Sequence, residues 1–185
     1  MKTKKMMKSG LVVTLSIGIL SLSACSTGTN KETAEKNTTD STSATAVTPV
    51  AKAVFEDPKG AAVYEHYLHL KDALIKADVA EVQTAAAALQ TALTDAGNSK
   101  GADIAGKIAS TGKIDAQRAE LEGLSEEVET VVKAAKIKGG IIYKQYCPMA
   151  NAGKGGYWLS SNSDIRNPYY GDEMLNCGET KEEIK

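Results

Sequence analysis

Between residues 63 and 93 the apolar side chains recur twice at helical spacing, and this restricts the possible folds more than any other feature of the chain. Val63, Tyr67, Leu70 and Leu74 are separated by +4, +3 and +4, and Val82, Ala86, Leu89 and Leu93 repeat the same steps. At 3.6 residues per turn each set falls on one face, so each segment reads as an amphipathic helix with a stripe to bury. Asp78 stands ahead of the second set with Glu81 three residues on, the spacing of a capping box, and Gly97 is placed to stop it. The spacing therefore predicts helices packed stripe to stripe.

Two further helices follow. Residues 102–109, with Ile104 and Ile108, form a short one ended near Gly112. Residues 114–136 form the last, with Leu121, Leu124, Val128, Val131 and Ala135 on one face. Gly123 is a point where this helix could bend, because glycine costs ~1 kcal/mol relative to alanine inside a helix. After Gly139-Gly140 the pattern changes. Residues 141–146 are β-branched and aromatic like a strand, residues 156–159 are a fitting partner, and 151–155 form the loop between them. Asn167-Pro168 and Tyr170-Gly171 are turn signals. The expected fold class is mainly α. A bundle of about four helices (residues 56–138) carries a small, loop-rich C-terminal cap (139–185) containing a short β-hairpin. Its roughly 130 residues suffice for a single core.

The N-terminus bears on location. Lys2, Lys4, Lys5 and Lys8 precede an apolar run at residues 11–22, and Leu22-Ser23-Ala24-Cys25 follows. The run is too short for a membrane span of ~20 residues and reads as a secretory signal peptide over 1–24. The small residues before Cys25 resemble a bacterial lipobox. That resemblance implies a lipidated Cys25, a partner in the lipid bilayer and a place in the bacterial cell envelope, on its periplasmic face. Residues 25–55 are rich in Thr, Ser, Ala and Lys and read as a flexible tether. Removing residues 1–24 takes away four lysines and no acids, so 22 − 4 = 18 basic residues face 23 acidic ones, a formal charge of −5. A mildly acidic chain lacks the electrostatic footprint of a nucleic-acid binder.

The same cleavage removes Met1, Met6 and Met7, leaving Met149, Met174, Cys147 and Cys177 as the sulfur residues beyond Cys25. They form Cys-x-Met and Met-x-x-Cys within thirty-odd residues. Thiolate and thioether donors select soft ions such as Cu(I). Alternatively, Cys147 and Cys177 close a disulfide loop of about thirty residues, worth roughly 3 kcal/mol in the chain-entropy model and favoured in an oxidising envelope. The methionines then go unexplained, and both readings stay open. Trp158, the sole tryptophan, could shield a soft cation by its ring face or plug a small core. His66 and His69 are three apart on the first helix, and His66 is a further candidate ligand. No catalytic or phosphate-cradling motif is present, so no enzyme activity is expected.

Several segments carry a resemblance: Tyr146-Cys147-Pro148-Met149, Tyr157-Trp158-Leu159-Ser160, Ile165-Arg166-Asn167-Pro168-Tyr169-Tyr170-Gly171 and Met174-Leu175-x-Cys177-Gly178. With Tyr67-Leu68-His69-Leu70-Lys71-Asp72-Ala73-Leu74 and Leu124-Ser125, they resemble an uncharacterised bacterial envelope lipoprotein domain family over residues 58–182. That family also occurs as a tail on periplasmic adaptors of copper/silver-type efflux pumps. The resemblance implies a heavy-metal efflux adaptor as partner and Cys147, Met149, Met174 and Cys177 as ligands of a soft metal. The Cys-Pro-Met element is also similar to that of short heavy-metal-binding domains, where a histidine follows; here Ala150 stands in that place.

Overall fold

Val63, Tyr67, Leu70, Leu74, Val82, Ala86, Leu89 and Leu93 are all fully buried, so both apolar stripes become core. A computed structural model describes residues 52–185 of the chain. The expected signal peptide, the expected lipidation site Cys25 and most of the expected tether lie outside the described residues. The stripes belong to α1 (Pro58–Ile75) and α2 (Val79–Asp95), which pack extensively on each other. Asp57 opens α1, its side chain accepting from the Lys59 N–H, with Pro58 in the first turn. Asp78 opens α2 by accepting from the Glu81 N–H at 3.1 Å, and Asn98 does the same for α3 (Ser99–Ser110) from Gly101.

The last predicted helix is two. α4 (Ile114–Ala119) and α5 (Leu121–Ala134) break at Glu120, whereas Gly123 lies inside α5. Side chains at the end of α4 account for the break. Gln117 is buried and donates to the Thr111 and Val79 carbonyls, while Arg118 donates to those of Leu74 and Pro168. These bonds tie α4 to neighbouring segments, and α5 turns away to close against α1 and α3. On α1, a Cβ at Gly60 would lie 2.1 Å from the Cβ of Ala135, so the close approach there needs glycine.

Two small sheets complete the fold. β1 (Val54–Phe55) pairs antiparallel with β2 (Ile137–Gly139). Val54 and Phe55, at the end of the expected tether, are thus paired with β2, and the Phe55 ring stands edge-on to Tyr64 at 5.7 Å. In the cap, β3 (Ile142–Cys147) and β4 (Gly156–Ser160) form the expected hairpin, with α6 (Ala150–Gly153) in the connection. A third strand, β5 (Glu179–Ile184), pairs with the other edge of β3. It was not legible in the sequence, because Glu-Thr-Lys-Glu-Glu-Ile is charged at alternate and adjacent positions alike, and all but Ile184 are exposed. Such charges suit an edge strand, where they discourage further pairing.

Helices and cap share one core. Trp158, Leu159, Tyr169, Cys147, Ala150 and Ile184 belong to the same buried cluster as the helix stripes. The Leu159 N–H on β4 donates to the Tyr67 hydroxyl of α1 at 3.0 Å. Ser125 donates to the Leu121 carbonyl, which leaves its oxygen to accept from Tyr67 at 2.7 Å. Tyr169 donates to the Tyr157 carbonyl at 2.7 Å. Both hydroxyls thereby satisfy backbone groups of β4 that its single partner strand leaves over. Glu129 of α5 joins Lys133 at 2.6 Å and Lys144 of β3 at 2.7 Å, a second tie between the layers. Among the described residues no helix is long and apolar enough to cross a membrane.

Candidate thiol and soft-metal site

β3 ends on Cys147, whose Cα partner on β4 is Gly156. Strand alternation puts Tyr143, Gln145 and Cys147 on one buried face. Pro148 then follows and lacks the N–H that would continue the ladder. Cys177 approaches from a different segment. Its N–H closes a tight turn onto the Met174 carbonyl at 3.0 Å. The two Sγ atoms stand 2.7 Å apart. The structure therefore brings together the two cysteines thirty residues apart in sequence.

What holds Cys177 there is Asn167, a residue read from sequence as part of a turn and of the resemblance signature, with no role of its own. Asn167 is fully buried. Its amide donates to the Cys177 carbonyl at 3.0 Å, its side-chain oxygen accepts from the Tyr169 N–H at 2.8 Å, and its own N–H donates to Leu175. The following residue, Gly178, has φ +143. A Cβ there would fall 2.8 Å from both the Trp158 ring and the Tyr146 carbonyl. Only glycine fits between the sheet and that indole.

Trp158 is fully buried and meets Tyr169 edge-on, with ring centroids 6.2 Å apart. It packs against Gly178, and hence beside the thiol pair, as a core side chain. Across the strand from it, Gln145 donates to the carbonyls of Asn162, Ser163 and Asp164 at 3.0, 3.1 and 3.3 Å and pins the loop after β4. The buried Trp158 Nε1 and Gln145 Oε1 have no hydrogen-bond partner among the described residues.

The other candidates are placed differently. Met149 is 53% exposed, with its carbonyl held by the Tyr170 hydroxyl. Met174 is half-buried at the end of the 3-10 turn Gly171–Glu173. His66 lines a groove between α1 and α2 with Lys59, Ala62, Ala88, Thr91 and Asp95, and no cap residue contributes to it. His69 pairs with Glu81 at 2.6 Å on the surface. Among the described residues no group of three or more His, Cys, Asp or Glu side chains could hold a metal ion. The protein donor set at the pair is thus sulfur, which fits a soft ion and not a hard one. The hydrogen bond with Cys147 pushes the Cys177 thiol up to about 11, and burial adds to this. A raised value disfavours the thiolate, so nothing here marks Cys177 as an activated nucleophile.

Residues 63–140 match a family described as a protein of unknown function (DUF3347). The match runs from the first turns of α1 through β2 and ends before β3, so the thiol pair lies beyond it. Neither a curated protein nor a solved structure matches the chain.

Proposed function

We propose that this protein is an envelope-anchored lipoprotein that binds a soft heavy metal, Cu(I), through Cys147 and Cys177, as a scavenger or chaperone linked to metal efflux. The observation that carries the reading is the apposition of the two thiol sulfurs at 2.7 Å, in a segment that also holds Met149 and Met174. Two thiolates supply the soft donors Cu(I) prefers, and an exposed thioether two residues from Cys147 offers a third. The envelope location and the Cys25 anchor rest on the lysine-rich start, the short apolar run and the lipobox-like Leu-Ser-Ala-Cys. The efflux adaptor as partner rests on the resemblance of the Cys-Pro-Met to Met-Leu-x-Cys-Gly signature. The chemistry is binding; no substrate is turned over.

The test is titration of the reduced chain with Cu(I) against a competing chelator, beside a variant carrying both Cys147→Ser and Cys177→Ser. The reading expects tight binding of one ion, abolished in the double variant. Equal affinity in the two proteins overturns it.

A second reading is favoured by the same sulfur contact together with the exposure of Met149. In it the pair is a permanent disulfide stapling a cap that docks an envelope partner and binds no metal. It expects no free thiol at Cys147 or Cys177 in protein isolated without reductant, and no effect of Met149→Leu.

A further inference from the structure

We propose that Cys177 is the sulfur at which thiol–disulfide exchange occurs, and that the reagent is a dithiol reductant that attacks Cys177 and expels Cys147. The proposal takes from the metal reading only the need for a reduced pair; the regiochemistry stands on burial and holds whether or not metal binds.

The two sulfurs touch but are not equivalent. Cys147 is 0% exposed, on the buried face of β3, paired with Gly156 and in the same buried cluster as Ala150. Cys177 is part-exposed, preceded by the exposed Asn176 and followed two residues on by the exposed Glu179. An open groove lined by Asp164, Ile165, Arg166, Leu175 and Asn176 runs up to this segment. A thiolate attacks a disulfide at whichever sulfur it can reach. Reaching Cys147 requires the cap core to open, whereas reaching Cys177 does not. Nor is Cys177 loosely held: Asn167 fixes its carbonyl and Gly178 wedges the next residue under Trp158. The accessible sulfur is thus presented at a fixed position.

The chemistry balances as follows. A thiolate of the reductant forms a bond to Sγ of Cys177, and the Sγ147–Sγ177 bond breaks. The electron pair leaves with Sγ of Cys147, which takes up the proton that the attacking thiol gave up on becoming a thiolate. The reductant's second thiol then attacks its own sulfur in the mixed disulfide, releasing Cys177, which is protonated in turn. Two electrons and two protons have moved from the dithiol to the pair, and the reductant is left as a disulfide. In an oxidising compartment this is the class of reaction that must precede loading of a soft metal.

The experiment uses the full chain. Oxidised wild-type protein is treated with sub-stoichiometric glutathione, quenched with acid, and the mixed disulfide is located by peptide mass mapping. Glutathione on Cys177 is the expected result; glutathione on Cys147, or equally on both, overturns the proposal, as does an unoxidisable pair. In parallel, Cys147→Ser and Cys177→Ser chains react with glutathione disulfide, with modification mapped to the remaining cap thiol. The chain retaining Cys177 is expected to react roughly 100-fold faster than the one retaining Cys147, with the difference vanishing in denaturant. A ratio near one in native buffer overturns it. A null Cu(I) titration with glutathione on Cys177 ends the metal reading alone.

Discussion

The side-chain amide of Asn167 donates to the main-chain carbonyl of Cys177 at 3.0 Å, and through that bond a residue ten positions upstream sets where the second thiol stands. Because Asn167 is fully buried, its replacement by alanine leaves the Cys177 carbonyl and the Tyr169 N–H without their partner. Asn167→Ala should cost about 2 kcal/mol in urea unfolding, in the range of an abandoned buried partner. It should also raise the reactivity of Cys177. A loss below about 0.5 kcal/mol, the usual scatter of surface changes, would remove Asn167 from this role.

Gly178 tests the other side of the same cradle. Alanine there meets both a positive φ and the Trp158 ring, so Gly178→Ala should destabilise the chain by roughly 2–4 kcal/mol. Trp158 emission should shift to longer wavelength as the indole gains contact with water. Unchanged emission with unchanged stability would show that the cap yields freely.

The tie between α5 and the sheet should make stability acid-sensitive. Burial acts to raise the Glu129 carboxyl, but hydrogen bonds from Lys133 and Lys144 prevail and hold it below its ordinary range. A carboxyl depressed in the folded state stabilises above its unfolded value, near 4.3, and that contribution disappears as pH falls through the folded value. Glu129→Gln should therefore cost about 1 kcal/mol at pH 7 and less at pH 3. Equal costs at both pH values would show that the carboxylate charge is not what matters.

The thiol pair makes the opposite prediction at high pH. The folded-state value of Cys177 is raised, so its contribution to stability is complete below the unfolded value and is lost as pH climbs toward about 11. Reduced protein should lose stability between about pH 9 and 11 relative to the same protein with the pair oxidised. Titration of other groups is common to both forms and cancels in the difference. Parallel stability curves would contradict a raised Cys177 value in the reduced pair.

Proton competition also sets the pH dependence of metal binding. Each thiolate bond displaces one proton, so the apparent Cu(I) affinity of the reduced chain should rise about tenfold per pH unit per proton released. Met149→Leu should weaken binding without changing stability, since the side chain is 53% exposed. A pH-independent affinity would mean that thiolates are not the ligands.

The sequence alone determined the helices and much of where the sulfurs gather. Periodicity at 3.6 named the core residues of α1 and α2, and the capping residue Asp78 marked a start because these features are local: each depends on residues within a turn or two. The hairpin of β3 and β4 was legible for the same reason, from β-branched and aromatic runs around a glycine-rich loop. β5 was not, because a charged strand exists only where a neighbour offers a free edge, and the ladder of β3 supplies it. The helix break at Glu120 depends on Gln117 and Arg118 reaching carbonyls far along the chain. The place of Asn167 depends on Leu175 and Cys177. What only the tertiary structure decided was which sulfurs meet: the two cysteines touch, Met149 faces solvent, and His66 lies in a groove built without the cap. Contacts across thirty or more residues are settled by packing of the whole core, and no local spacing encodes them.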